Sequence, residues 1–223
     1  MKSFPFDIVG FDLDGTLLDT HGDLAEAVNH ALASTGRPCI AHAEVRGLVG
    51  GGSGRMLKRA LEVTGGAVSD EEFAVLHGRL LEHYCNHLAV HSCLFPGGEA
   101  MLEALAGRGV TLAVATNKFE RFARALLDEL GLTSRFAVIL GGDTLGPGRG
   151  KPAPDMLLEM VARCGGGRAA YVGDTTYDTL AAQAAGIPCV AVSFGFNDVA
   201  IRELGATALI DHYDELIPAL ERL

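Results

Sequence analysis

Short apolar runs separated by longer helical patterns constrain the fold of this chain most strongly. The apolar runs lack the strict alternation of a half-exposed strand, which is typical of a parallel sheet covered by helices on both faces. We predict strands at residues 7–12, 111–115, 137–140, 169–172 and 188–192. Helical patterns accompany these strands, at residues 99–107, 119–130, 155–164 and 175–185. This alternation predicts right-handed βαβ units in an open, doubly wound α/β sheet.

Residues 19–91 break the alternation. Successive helical patterns occupy this stretch, which contains no convincing strand, and they lie at residues 24–34, 43–49, 54–63 and 70–88. An all-helical insertion after the first strand explains the change most simply. We therefore predict two units: a Rossmann-like α/β core formed by residues 1–18 and 92–223, and an α-helical cap formed by residues 19–91.

The balance of charges argues against some kinds of partner. The chain has 18 Lys and Arg against 28 Asp and Glu, a formal net charge of −10, which disfavours nucleic-acid binding through general attraction to phosphates. A small anionic substrate is compatible with this charge, because local cations and a metal ion can override it. No apolar stretch approaches the length of a membrane span, and the start of the chain is too short and acidic for a signal peptide. We expect a soluble, cytoplasmic monomer or homodimer without nucleic-acid or membrane partners.

Polar residues gather where the predicted strands end. In an open parallel sheet, ligands bind beyond the carboxyl ends of the strands, and this chain places four carboxylates, a hydroxyl and a lysine there. These residues are Asp12 and Asp14 in Asp12-Leu13-Asp14-Gly15-Thr16, Thr116 in Thr116-Asn117-Lys118, Lys151 in Lys151-Pro152, and Asp174 and Asp178 in Gly173-Asp174-Thr175-Thr176-Tyr177-Asp178. We expect their side chains to converge on one crevice.

This set of residue types suits phosphoryl transfer. Carboxylates that lie close together raise one another's pKa unless a cation offsets them, and Mg²⁺ commonly binds a few carboxylates plus a substrate phosphate. A carboxylate oxygen can attack phosphorus and form an aspartyl-phosphate, while a second acid protonates the leaving oxygen and later helps to activate water. A lysine and a threonine can hold the phosphoryl oxygens where negative charge accumulates.

The strand-end segments are similar to the motifs of a known enzyme superfamily. Residues 12–16 resemble the DxDGT signature of the haloacid dehalogenase-like (HAD) superfamily. Thr116, Lys151-Pro152 and Gly173-Asp174 with Asp178 resemble its other three motifs, in the expected order. The helical insertion resembles the type of cap that this family places between its first and second motifs. The resemblance implies a Mg²⁺-dependent phosphatase that acts on a small phosphorylated metabolite through an aspartyl-phosphate.

The same resemblance implies roles in phosphoryl transfer for five residues. Asp12 would be the nucleophile, and Asp14 would be the general acid and base. Thr116 and Lys151 would bind the transferring phosphoryl group, with Asn117 nearby. Because the halide-removing branch of the superfamily does not need a general acid at position 14, Asp14 favours phosphate chemistry.

The resemblance also implies a set of Mg²⁺ ligands. The ion would be held by Asp12, by the backbone carbonyl of Asp14 and by Asp174. Asp178 would support the ion from outside its ligand sphere or contact it through water.

A glycine-bearing segment of the predicted cap carries the substrate prediction. The segment is similar to the cap loop of bacterial phosphoglycolate phosphatases, and its sequence is Val49-Gly50-Gly51-Gly52-Ser53-Gly54-Arg55. Backbone amides at Gly51 and Gly52 could bind a substrate carboxylate, with Arg55 supplying charge. The resemblance therefore implies 2-phosphoglycolate as the substrate. A sugar-phosphate phosphatase, a pyrophosphatase or a phosphomutase of the same superfamily stays open, as does a catalytically silent protein that binds a phosphorylated ligand.

Overall fold

The computed structural model describes residues 4–223. Its strands, in chain order, are β1 (Ile8–Phe11), β2 (Leu18–Asp19), β3 (Cys93–Leu94), β4 (Thr111–Ala115), β5 (Val138–Leu140), β6 (Ala169–Gly173), β7 (Cys189–Val192) and β8 (Ala208–Ile210). Its α-helices are α1 (His21–Ala33), α2 (His42–Val45), α3 (Ser53–Val63), α4 (Asp70–Asn86), α5 (Gly98–Ala106), α6 (Glu120–Glu129), α7 (Asp155–Arg163), α8 (Thr176–Ala185) and α9 (Leu216–Leu220). None of these helices is long and apolar enough to cross a membrane. Residues 1–3, which the sequence analysis assigned to the core, lie outside the described residues.

Six of the strands form one parallel sheet with β1 near its middle. The strand order is β5-β4-β1-β6-β7-β8, and every neighbouring pair is parallel. Ile8 of β1 is aligned with Thr111 of β4 on one side and with Ala169 of β6 on the other. The prediction of a doubly wound, Rossmann-like α/β sheet is confirmed. The order also brings the carboxyl ends of β4, β1 and β6 side by side.

Both faces of the sheet are buried, which explains the uninterrupted apolar runs. Val9 and Phe11 of β1 belong to the apolar cluster on one face. Ile8 belongs to the cluster on the other face, together with Met160 and Tyr171. Each of these side chains is at most 1% exposed. Because successive side chains of a strand point to opposite faces, a strand covered on both sides needs apolar residues at every position.

Residues 19–91 form helices joined by short connections. α1 packs against α4 through buried side chains spaced four residues apart, which are Leu24, Val28 and Leu32 in α1 and Leu76, Leu80 and Tyr84 in α4. β2 pairs with β3 in an antiparallel two-stranded sheet in which Leu18 lies opposite Leu94. The two ends of the helical stretch therefore lie next to each other.

The structure corrects the sequence interpretation in two places. The single helix predicted at residues 43–49 is instead the four-residue α2 followed by a 3₁₀ turn at Arg46–Leu48. Gly47 lies inside that turn. Because glycine loses more conformational freedom on folding than any other residue, it disfavours a continuous helix here. The sequence pattern also fails to predict four short elements, which are β2, β3, β8 and α9, of two, two, three and five residues. Elements this short do not display a full period of hydrophobic repetition.

Candidate active site

The turn after β1 carries the first two carboxylates. Asp12 follows β1 directly, and Asp14 lies two residues further along. Gly15 lies between Asp14 and β2 and adopts a φ of +83°. A Cβ atom at Gly15 would lie 2.4 Å from Oδ2 of Asp174 and 2.7 Å from the ring of Phe196. Glycine therefore allows both the left-handed backbone and the close approach of a third carboxylate.

A buried lysine lies among the carboxylates. Nζ of Lys151 is 2.9 Å from Oδ1 of Asp12 and 2.5 Å from Oδ1 of Asp178. The same nitrogen donates a hydrogen bond of 2.9 Å to the hydroxyl of Tyr171. Burial alone would lower the pKa of Lys151, but the two carboxylates outweigh burial and raise the pKa above its ordinary value. Lys151 therefore keeps its positive charge at neutral pH.

Three carboxylates share this small volume. Asp12, Asp174 and Asp178 each place one oxygen so that these atoms all lie within 4.8 Å of one another. Burial raises the pKa of Asp12 to about 6, with Lys151 opposing the shift and Asp178 adding to it. Burial, reinforced by Asp178 and Asp12, raises the pKa of Asp174 well above its usual range. The positive charge of Lys151 therefore does not fully offset the carboxylates.

The arrangement fits a divalent cation. Oδ1 of Asp12 is buried and faces the Lys151 ammonium at 2.9 Å in an ion pair. Asp174 is held in place by the hydroxyl of Thr16, which donates to Oδ1 at 2.8 Å, and by the N–H of Phe196, which donates to Oδ2 at 2.7 Å. Buried carboxylate oxygens grouped this closely form the kind of oxygen-rich set that Mg²⁺ binds.

Asp178 is engaged by the protein through both of its oxygens. Oδ1 accepts a hydrogen bond from Lys151. Oδ2 accepts hydrogen bonds from the N–H groups of Asp174 and Thr175 and from the Thr175 hydroxyl. These contacts cap the N-terminus of α8. Asp178 thus fixes the lysine and the backbone that carries Asp174.

The Asp14 carboxylate has a cation of its own. Nζ of Lys118 lies 2.9 Å from Oδ1 and 3.1 Å from Oδ2 of Asp14, and the Thr20 hydroxyl donates to Oδ1 at 2.8 Å. Burial alone would lower the pKa of Lys118, but Asp14 and Tyr84 raise it. The sequence pattern predicts no role for Lys118. Its place two residues after the strand-end Thr116 is the signal that could have identified it.

The segment after β4 joins two parts of the site. Thr116 is buried, and its N–H donates to the carbonyl of Leu140 in β5 at 3.0 Å. The Thr116 hydroxyl accepts the N–H of Lys118 at 3.3 Å. The side-chain amide of Asn117 donates to the carbonyl of Lys151 at 2.9 Å, which fixes the loop that carries the lysine.

One cavity joins the strand ends to the helical stretch. The strand ends contribute Asp12, Asp14, Thr116, Asn117, Lys118, Lys151 and Asp174 to its lining. Residues 19–91 contribute Leu24, Gly50, Gly51, Gly52, Leu80, Leu81 and Tyr84, among others. The space open to the centres of water-sized molecules is about 60 Å³. Because roughly 10–15 Å³ of such space holds one water, the cavity has room for a small ligand.

Arg55 lies outside this cavity, in contrast to Gly51 and Gly52. Its guanidinium is exposed and donates a hydrogen bond of 2.5 Å to the hydroxyl of Tyr177, and it lies 5.3 Å from the centre of that ring. Tyr177 belongs to α8, so the contact between Arg55 and Tyr177 connects α3 with a helix that flanks the main sheet. The structure thus brings the predicted strand-end residues together and places Arg55 outside the lining, against Tyr177, which does line the cavity.

Fold and site together define the class of this protein. A doubly wound parallel sheet with carboxylates and a lysine beyond its strand ends is the core of an α/β enzyme. The family model of haloacid dehalogenase-like hydrolases matches residues 6–186. The chain belongs to this hydrolase family.

Individual relatives match nearly the whole chain. The phosphoglycolate phosphatase of Agrobacterium fabrum is 39% identical over 212 residues, which are 94% of this chain and 90% of that protein. The phosphoglycolate phosphatase of Mesorhizobium japonicum is 40% identical over 219 residues, 97% of this chain and 96% of that protein. The crystal structure of a predicted phosphoglycolate phosphatase from Haemophilus somnus 129pt matches with a TM-score of 0.89 at 28% identity, covering 96% of this chain and 98% of that one. The similarity therefore includes both the main sheet and the helical stretch.

Proposed function

We propose that this protein is a Mg²⁺-dependent phosphatase that hydrolyses a small phosphate monoester, with 2-phosphoglycolate as its substrate. The observation that carries the proposal is the buried Asp12 carboxylate, which lies 2.9 Å from the Lys151 ammonium and belongs to one cluster with the carboxylates of Asp174 and Asp178. The relatives at 39% and 40% identity, both phosphoglycolate phosphatases, support the choice of substrate. The small cavity supports a small ester.

The reaction proceeds in two steps on this proposal. First, an oxygen of Asp12 attacks phosphorus, the bond from phosphorus to the ester oxygen breaks, and Asp14 gives its proton to the departing oxygen. Second, a water oxygen attacks the phosphorus of the aspartyl-phosphate while Asp14 takes a proton from that water. Inorganic phosphate then leaves, and the Asp12 carboxylate is restored.

Positive charge around the transferring group supports these steps. Lys151 keeps its charge and, together with the Thr116 hydroxyl, donates hydrogen bonds to the phosphoryl oxygens. Asp12, the backbone carbonyl of Asp14 and Asp174 would hold Mg²⁺, which when bound supplies charge that offsets the carboxylates and the phosphoryl group. Asp178 holds Lys151 in position through the contact at 2.5 Å.

On this proposal, residues 19–91 act as a cap, and residues 1–18 and 92–223 act as the catalytic core. Leu80, Tyr84 and the glycine loop Gly50-Gly51-Gly52 line the cavity together with the strand-end residues. Closure of the cap excludes bulk water during transfer, and its opening releases the products.

Release of inorganic phosphate tests the proposal. The purified protein is given 2-phosphoglycolate, several sugar phosphates and pyrophosphate, each with Mg²⁺ and after chelation. We expect Mg²⁺-dependent release with the highest kcat/KM for 2-phosphoglycolate, and none from Asp12→Asn, which preserves the size of the side chain. A higher kcat/KM for another ester would replace the substrate, and an isomerised product without free phosphate would indicate a mutase. Absence of any turnover would contradict the proposal as a whole.

A further inference from the structure

Lys118 lines the cavity next to Asp14, the proposed general acid. Two lysines, Lys118 and Lys151, line the cavity. Lys151 is held close to Asp12 and Asp178. Lys118 instead contacts Asp14, with its ammonium 2.9 Å from Oδ1, and it is only 8% exposed. The Lys118 ammonium has no role in the two-step reaction proposed above.

Tyr84 reaches the same part of the cavity from α4. Its side chain is 2% exposed, and its hydroxyl has no well-aligned hydrogen-bond partner within residues 4–223, although it lies near enough to Lys118 to raise the pKa of that lysine. The ammonium of Lys118 lies 4.4 Å from the centre of the Tyr84 ring. Because buried hydroxyls in native proteins nearly always have partners, an unpaired one in a cavity lining points to a ligand that completes it.

The chemistry of the reaction determines where the leaving group lies. Asp14 must reach the ester oxygen to give it a proton, so the first atoms of the leaving group lie beside Asp14. Since Lys118 contacts Asp14 directly, a negative group one carbon away from the ester oxygen comes within reach of the lysine. In 2-phosphoglycolate, a single methylene joins the ester oxygen to the carboxylate.

We infer that Lys118 and Tyr84 form a subsite that selects esters whose leaving group carries a carboxylate. The inference rests on the proposed phosphatase function and adds the residues that recognise the substrate. Lys118 supplies positive charge and N–H donors, and the Tyr84 hydroxyl donates to the second carboxylate oxygen. Apolar side chains line the cavity around this pair, including Leu24, Leu80 and Phe122.

The ratio of two specificity constants tests this subsite. With Mg²⁺ present, kcat/KM is measured for 2-phosphoglycolate and for ethyl phosphate, which has the same carbon skeleton and no carboxylate. We expect the ratio to fall roughly 10- to 100-fold in Lys118→Met, the range for the loss of one hydrogen bond to a charged group. In Tyr84→Phe, which also removes one hydrogen bond to the carboxylate, we expect a fall of roughly 10-fold or more. Because both esters need Asp14, the ratio cancels any effect of Lys118 on the position of the acid.

Lys58→Met is the matched control. Lys58 also lies over an aromatic ring of α4, 5.4 Å from the centre of Phe73, but it is exposed and outside the cavity. Its removal should leave the ratio unchanged.

Equal losses for both esters would overturn the subsite. An unchanged ratio in Lys118→Met would mean that the lysine serves only to hold Asp14. Tyr84→Phe keeps the ring and its packing, so it decides the question if Lys118→Met does not fold. A wild-type protein that releases phosphate from neither ester would instead refute the proposed function, and the subsite with it.

Discussion

The ammonium of Lys151 lies 2.9 Å from Oδ1 of Asp12, and the side chains of the two residues are 1% and 12% exposed. The lysine therefore has two roles next to this carboxylate. It lowers the repulsion among three neighbouring acids, and on the proposed mechanism it binds the phosphoryl group that Asp12 attacks. Stability and turnover should depend on this one contact.

We expect Lys151→Met to lose both stability and activity. Removing one partner of a buried ion pair costs about 3–5 kcal/mol, because the remaining charges are left uncompensated. Turnover should fall by roughly 10²- to 10³-fold or more, the effect of losing one donor to a developing charge. Thermal denaturation and kcat measure the two effects, with exposed Lys58→Met as the control. A Lys151→Met protein with the wild-type kcat would exclude the lysine from phosphoryl binding.

The raised pKa of Asp12 predicts how the stability of the metal-free protein varies with pH. Burial raises the pKa of this carboxyl from 3.8 to about 6, so the folded protein holds the proton more tightly than the unfolded chain does. The resulting stabilisation is fully present below 3.8 and is lost as the pH rises through about 6. We expect the Tm measured in a chelator to fall across this window, and to fall less steeply in Asp12→Asn. The same slope in both proteins would show that Asp12 does not carry the effect.

Mg²⁺ should stabilise the wild-type protein at neutral pH. A cation that binds only the folded state raises Tm, and its carboxylate ligands must lose their protons to bind it. Asp174 is buried and belongs to the three-carboxylate cluster, so Asp174→Asn should lose most of the Mg²⁺-induced rise. Asp128→Asn, an exposed change in α6, is the control and should keep the rise. An equal Mg²⁺ response in Asp174→Asn would remove this residue from the ligand set.

Gly15→Ala should impair the site more than an otherwise similar glycine substitution. Gly15 has a φ of +83°, and an added Cβ would lie 2.4 Å from an oxygen of Asp174. Gly36 has a φ of +72°, but none of the described atoms comes within 4 Å of a Cβ placed there. Both variants carry the strain of a left-handed backbone, about 1–2 kcal/mol. Only Gly15→Ala should also lower kcat, and equal kinetic effects in the two variants would contradict the importance of this close approach.

The main sheet could be predicted from sequence because its strands are buried on both faces. β4, with residues Thr111–Ala115, was predicted at its observed bounds, since nearly every side chain contributes to a core. β2 and β3 could not be predicted, because each has two residues and their pairing joins positions more than seventy residues apart. β8 lies at the edge of the sheet, and its Leu209 is exposed, so its pattern is weak.

The strand-end acids of the candidate site could be predicted from the sequence, but the contacts of Lys118, Tyr84 and Arg55 could not. The sequence places Lys118 after a strand without indicating that it meets Asp14, 104 positions away. Tyr84 follows Leu80 by four residues on α4, so from sequence it is typical of a core position, and only the folded chain shows its unpaired hydroxyl. The direction of Arg55 likewise depends on the position of Tyr177 in α8.

The most direct test of the central claim is to find the phosphoryl group on Asp12. The protein is mixed with 2-phosphoglycolate and Mg²⁺, quenched rapidly in acid, and digested for mass spectrometry. We expect a peptide containing Asp12 that is heavier by one phosphoryl group, with Asp12 as the modified residue, and no such peptide from Asp12→Asn. Phosphorylation of a different residue, or phosphate release without any phosphorylated peptide at the earliest quench times, would contradict it.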